Sequence, residues 1–215
     1  MKPLIVKLRY LDVAGKAQIY DALQSGQIIA YPTDTIYGLG IDIFNPKGID
    51  KLFSLKGRDS NKPVSILYSN VNRVLTDFQN LNEYQQRAVR SLMPGKVTLL
   101  LPAPSKKRFP DTFIQESYIG VRVVDLPALN NLIDGYPHPI STTSSNPTDL
   151  PPAKNVQEII DYFGSELAVV IDNGKADSTR SSTVIKLYDD SWEILREGAV
   201  SQLQIEISLS KIMRP

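Results

Sequence analysis

Ile28-Ile29-Ala30-Tyr31-Pro32-Thr33-Asp34-Thr35-Ile36-Tyr37-Gly38-Leu39-Gly40 opens on four apolar residues, stops at a proline and runs through two hydroxyls into a Gly-x-Gly. The β-branched run Ile28–Tyr31 reads as a strand broken at Pro32. If the chain stays extended beyond it, Thr33 and Thr35 share one face and Asp34 points to the other. Two hydroxyls followed by glycines suit close approach of a polar ligand to backbone. The same residues also read as a strand ending in a plain turn. Gly38-Leu39-Gly40 lacks the third glycine of the dinucleotide fingerprint, and no Walker A pattern occurs anywhere in the chain.

Helical patterns flank this strand on both sides. Upstream, Val13, Ala17, Tyr20 and Leu23 keep helical spacing, with Gly26 as a stop. Downstream, Asn45-Pro46 reads as an N-cap with proline in the first turn. The helix it opens carries Ile49, Leu52 and Phe53 on one stripe and ends near Gly57. Lys56 falls on that stripe, which aims its ammonium inward. Further strands are expected at Val64–Tyr68, Val97–Leu101, Ile119–Val124, Leu167–Ile171, Thr183–Tyr188 and Trp192–Leu195. Further helices are expected at Asn82–Leu92, Leu126–Ile133 and Val156–Phe163. Helices and strands intermix, with more strands in the second half, which predicts an α/β fold around a mixed, twisted sheet. Pro102–Pro110 and Asn146–Lys154 read as loops.

The chain has 215 residues, 42% of them hydrophobic, enough for one sizeable core. It carries 24 Lys+Arg against 23 Asp+Glu, which argues against a strongly basic nucleic-acid scaffold while leaving room for a local basic cleft. Without cysteine, disulfides, thiol nucleophiles and Cys-ligated zinc are excluded, and His138 as the only histidine excludes multi-histidine metal sites. His138, between two prolines and with no spaced nucleophile, reads as structural or surface. The first ten residues hold too short an apolar stretch for a signal-peptide core, and no run approaches the ~18 apolar residues of a membrane span. A soluble cytoplasmic protein is the expectation.

Four cations stand against apolar framework: Lys56 and Arg58 at the end of a helix, Arg122 within the strand Ile119–Val124, and Arg196 after Ile194-Leu195. Unpaired buried charge is very costly, so each needs an anionic partner. The chain's own carboxylates are not spaced to supply these partners, so an anionic ligand is expected. Lys56 at a helix C-terminus also reads as dipole compensation, and Arg122 also reads as a residue of a solvated sheet face. Hydroxyl runs accompany the cations: Thr33/Thr35, Ser141–Ser145 with Asn146, and Ser181–Thr183. The all-polar Ser141–Asn146 run is a poor strand core, so it is expected to be a loop or a ligand-facing edge.

In order along residues 31–198, the set Pro32–Gly40, Lys56-x-Arg58 with Pro63, Pro94-Gly95 with Thr98, Gly120-Val121-Arg122-Val123, Ser144-x-Asn146, Ser182-Thr183-Val184 and Leu195-Arg196-x-Gly198 resembles the YrdC-like family of L-threonylcarbamoyladenylate synthases. Lys96, Ser145 and Pro147-Thr148 depart from the family's usual residues. The resemblance implies a YrdC-like twisted mixed β-sheet with flanking helices around a large basic cavity, as a single domain over 1–207 with a tail over 208–215. It implies that ATP, L-threonine and bicarbonate or CO2 yield threonylcarbamoyl-AMP and pyrophosphate, for threonylcarbamoyladenosine in tRNA through a separate transferase complex. By the same resemblance Lys56 and Arg58 are the catalytic cations, holding carbamate and phosphate charge. Arg122 holds the threonine carboxylate, Ser144 and Ser182 contact threonine, and Thr33 and Thr35 form the substrate-side wall. Lys56, Arg58, Asn146 and Arg196 bind nucleotide, and Mg2+ accompanies ATP. Weak tRNA or double-stranded RNA binding is a further implied contact, and no membrane contact is expected. Two other readings stay open: a paralogue acting on a carbamoyl-type adenylate or on modified tRNA, and a non-catalytic module that binds structured RNA.

Overall fold

The computed structural model describes residues 2–57, 64–104 and 108–210. Its elements are β1 (Leu4–Lys7), α1 (Val13–Gln24), β2 (Ile28–Tyr31), β3 (Gly38–Gly40), α2 (Pro46–Lys56), β4 (Ser65–Leu67), α3 (Val71–Asp77), α4 (Glu83–Leu92) and β5 (Val97–Pro102). They continue with β6 (Ile114–Gln115), β7 (Tyr118–Arg122), α5 (Pro127–Asp134), β8 (Ile140–Ser144), α6 (Val156–Phe163), β9 (Leu167–Asp172), β10 (Thr183–Leu187), β11 (Trp192–Arg196) and α7 (Gln202–Ser210). The strands form one mixed sheet in the order β1-β9-β2-β3-β8-β4-β7-β5-β10-β11, with β6 paired to β7. No helix among the described residues is long and apolar enough to cross a membrane.

Helices cover both faces, which is why β2 reads as continuously apolar. All four of its residues are buried, Ile28 and Ala30 in one cluster and Ile29 and Tyr31 in the other. The first cluster also takes Leu52 of α2, Val89 of α4 and Ile159 of α6. The second takes Ile19 and Leu23 of α1 and Leu129 and Leu132 of α5. Each such aliphatic side chain contributes roughly 1.5–3 kcal/mol by leaving water.

Helix boundaries follow their capping chemistry. Asn45 accepts from the Gly48 N–H at 3.3 Å, and Gly57 ends α2 in the left-handed region at φ +54°, where a residue with a Cβ is disfavoured. The expected helix over Val156–Phe163 is α6, capped by Asn155 onto the Glu158 N–H at 3.0 Å. The helix α7 runs across the boundary expected after residue 207, with Leu209 buried.

One expectation is corrected. Of the run Ser141–Asn146, Ser141–Ser144 are neither loop nor edge, because they belong to β8, which lies between β3 and β4 in the middle of the sheet, while Ser145 and Asn146 begin the loop after it. The strand is polar because one of its faces fronts a cavity rather than core. The glycines after the threonine turn also make room for packing, since a Cβ on Gly40 would lie 2.7 Å, and one on Gly38 3.1 Å, from the Tyr31 ring, while Gly38 lines a cavity as the close-approach reading expects.

Candidate active site

Strand alternation builds the site. Ile66, Leu99, Val121 and Ile185 point into the apolar core, and the residues between them point to the opposite face. Leu100 pairs with Gly120, Val184 with both Thr98 and Arg196, and Ser65 with Thr142. All of these line one cavity of about 470 Å³, together with Thr33, Arg122, Ser144 and Ser182. Gly120 keeps its floor open, since a Cβ there would meet Ser65 Oγ at 2.5 Å.

Of the residues expected at the site, Thr33, Arg122, Ser144, Ser182 and Arg196 therefore share one hollow. Thr35 is buried directly behind Thr33, with the two hydroxyl oxygens 3.0 Å apart. Lys56 is only 3% exposed, as its position on the apolar stripe predicts. Its ammonium donates to the Ser144 carbonyl at 2.8 Å and to the Asn146 carbonyl. Thr148 returns a bond from its hydroxyl to the Lys56 carbonyl at 2.7 Å. Lys56 thus fastens the end of β8 and the loop after it to the end of α2. The Asn146 side chain donates to the Pro147 carbonyl at 2.9 Å, while its buried Oδ1 has no partner among the described residues. Arg58 lies outside the described residues.

Arg122 corrects the expectation that no carboxylate of the chain is placed to pair with these cations. The turn at Pro32–Ile36 is not extended, so Asp34 does not point away from the threonines' side. Its Oδ1 accepts from Arg122 Nη2 at 2.9 Å, and its Oδ2 accepts from the Asp125 N–H at 2.9 Å. The pair is 88 residues apart in sequence, and no local spacing signals it. Arg122 is 6% exposed. Burial pulls its pKa below the usual arginine range, Asp34 opposes that, and repulsion from Arg196 adds to it. Burial also lowers Arg196, which donates from Nη2 to the Ser182 carbonyl at 3.0 Å. Two cations that repel across one cavity are each relieved by an anion placed between them.

Several polar atoms in this hollow lack bonds. Arg122 Nε is buried without a partner. The hydroxyls of Ser65, Thr143, Ser144 and Ser181 make no side-chain hydrogen bond among the described residues. Thr98 Oγ1 and Ser182 Oγ share one bond of 2.8 Å, so one of their two protons is left over. By contrast, the Tyr37 hydroxyl is engaged on both sides, donating to the Gly174 carbonyl and accepting from the Asn173 N–H. Sequence reasoning did not find Ser65, Tyr37 or Thr98 as lining residues. Strand register selects Ser65 and Thr98, and local spacing does not encode register.

Residues 21–198 match the family model Sua5/YciO/YrdC, described as "Telomere recombination". The chain is 32% identical over 183 residues to the threonylcarbamoyl-AMP synthase of Photobacterium profundum, covering 84% of this chain and 97% of that one. Among solved structures, P. abyssi Sua5 complexed with L-threonine superposes with a TM-score of 0.87 at 22% identity, covering 97% of this chain but only 61% of that one. E. coli YciO superposes with a TM-score of 0.82 at 23% identity, covering 94% of this chain and 98% of that one. The two solved structures share the fold, including the twisted mixed sheet.

Proposed function

The chain belongs to the Sua5/YciO/YrdC family, and from that premise we propose that it is a threonylcarbamoyl-AMP synthase. The threonine amine combines with bicarbonate or CO2 to give a carbamate. The carbamate oxygen attacks the α-phosphate of ATP, and pyrophosphate leaves. The product supplies a separate transferase that modifies adenosine in tRNA, and we place the reaction in the cytoplasm.

The observation that carries this reading is Arg122, a buried guanidinium facing a polar cavity with N–H donors unused and a second cation, Arg196, close enough to repel it. Free N–H donors on a guanidinium suit a carboxylate, so Arg122 receives the threonine carboxylate. The leftover hydroxyl proton of the Thr98/Ser182 pair and the Ser144 hydroxyl meet the rest of the amino acid. Arg196, with Asn146 and Arg58, holds the nucleotide. Lys56 and Arg58 stabilise carbamate and phosphate charge at the Ser144 end.

The reactants repel one another, so catalysis consists of positioning and charge stabilisation, with no side-chain nucleophile required. Mg2+ enters on the ATP phosphates. Thr33 forms wall and Thr35 backs it, because their hydroxyls are spent on one another, on the turn and on Arg122.

The test is mass detection of threonylcarbamoyl-AMP from the purified protein with ATP, threonine and bicarbonate. Pyrophosphate release should require all three. Release without threonine would point instead to a different carbamoyl-type adenylate.

A further inference from the structure

On the synthase reading Arg122 receives the threonine carboxylate, and on that basis we infer that Asp34 is a positioning residue that sets Arg122 for this contact without touching substrate itself. Asp34 is buried and is not part of the cavity lining.

The assignment follows from counting hydrogens. Thr33 donates its single hydroxyl proton to the Ile36 carbonyl at 2.6 Å, because a carbonyl can only accept. The 3.0 Å contact between the two threonine hydroxyls must then be donated by Thr35. With its own proton spent, Thr35 Oγ1 is an acceptor for Arg122 Nη2 at 3.3 Å. The other Nη2 hydrogen goes to Asp34 Oδ1 at 2.9 Å. Both hydrogens of Nη2 are therefore consumed by the turn. Nε and Nη1 are left without a bond among the described residues. Nε is buried out of a ligand's direct reach, so Nη1 is the nitrogen left to donate into the cavity that Arg122 lines.

A carboxylate meets both demands of this place. One oxygen serves the Asp125 N–H and the other serves Arg122. Asparagine offers one acceptor oxygen and an NH2 group, so either Asp125 or Arg122 would face another donor. The carboxylate also makes burial of the arginine possible, since an uncompensated charge at that depth is strongly destabilising. Asp34 thus fixes which lobe of the guanidinium is spent on the protein and which is presented to the cavity.

The experiment is calorimetric titration of L-threonine, and separately of Mg-ATP, into wild type, Asp34→Asn, Arg122→Lys and the double variant. Asp34→Asn should weaken threonine binding about tenfold and leave ATP binding within about twofold. The double variant should bind threonine no worse than Arg122→Lys alone, because Asp34 acts only through Arg122. Unchanged threonine affinity in Asp34→Asn, equal losses for threonine and ATP, or additive losses in the double variant would each overturn the assignment. If Asp34→Asn does not fold, Thr35→Val carries the test, with a loss of about threefold expected for threonine alone and equal losses for both ligands overturning it. A wild type that binds no threonine overturns the synthase reading and this assignment together. A wild type that binds threonine, with Asp34→Asn indistinguishable from it, overturns the assignment alone.

Discussion

Two hollows of similar size among the described residues differ in whether their buried polar atoms already have partners. The larger, about 560 Å³, is walled by Asp42, Phe44, Lys47, Tyr136 and His138. Its buried carboxylate is fully served: Asp42 Oδ1 accepts from the Phe44 N–H at 2.8 Å, and Oδ2 accepts from the Tyr136 hydroxyl at 2.8 Å and meets His138 Nδ1 at 2.7 Å. Burial, reinforced by the bond to Asp42, raises the Tyr136 pKa, so that donor keeps its proton. The smaller, about 470 Å³, contains an arginine with a buried unbonded N–H and a set of uncommitted hydroxyls. Unmet hydrogen-bonding capacity, more than volume, separates a place waiting for a ligand from a place where loops are tied together.

Substitutions should therefore divide cleanly, with losses of turnover in one hollow and losses of stability in the other. The largest effect is expected at Lys56, which does not line the smaller hollow but stands beside it, bonded to the carbonyl of the lining residue Ser144. Lys56→Ala should lower turnover by about 10²–10³, the usual consequence of deleting one preorganised stabilising group, measured as pyrophosphate release well below the variant's unfolding temperature. Near-native turnover would restrict Lys56 to its visible role, holding the carbonyls of Ser144 and Asn146. Next comes Arg196→Ala. Arg196 is exposed as a residue and has a single described hydrogen bond, to the Ser182 carbonyl, so its removal takes the donor from one backbone acceptor and leaves no unpaired charge. A fall of about 10²-fold in kcat/KM for ATP is expected, with a stability loss of no more than about 1 kcal/mol.

How much of this division was legible in the sequence depends on how local each signal is. The strand Ile28–Tyr31, the capped ends of α2 and α6 and the inward direction of Lys56 all depend on residues within a few positions of one another, and all were readable. So was the presence of cations against apolar framework. The partner of Arg122 was not readable, because Asp34 reaches it across 88 residues through a turn whose shape alternation cannot express. Nor was the central place of β8, since β-propensity assumes that a strand's faces meet core or solvent, and here one face meets a ligand-sized hollow. The glycines at 38 and 40 carry a second role that the sequence did not show, although Gly38 does line the cavity. They make room for the Tyr31 ring, whose hydroxyl then donates to the Ser141 carbonyl at 2.8 Å.

In the larger hollow the expected pattern inverts. Asp42→Ala removes the acceptor of the Tyr136 hydroxyl and of the Phe44 N–H. Stranding buried donors should cost about 1–3 kcal/mol of stability, read as a lower denaturation midpoint with an unchanged slope. Turnover at a temperature where the variant is folded should stay within about twofold. A loss of turnover larger than the loss of folded protein would show that this hollow takes part in the reaction, and the distinction between the two regions would fail.

The smallest effect, and the sharpest check, belongs to His138. Its ring meets Asp42 at 2.7 Å but is 45% exposed, and it stands edge-on to Phe44 and Tyr136 at centroid distances of 5.2 and 6.0 Å. A half-exposed imidazole is screened by water, and Asp42 keeps two other donors when the ring is gone. His138→Ala should therefore cost under about 1 kcal/mol. Turnover should be unchanged across the whole pH range in which the protein is folded. The chain contains no other histidine, so a pH–rate profile that changes shape on this substitution would identify His138 as a participant. An unchanged profile assigns the whole of the chemistry to the cavity that Arg122 and Arg196 share, where no group that titrates near neutrality is required.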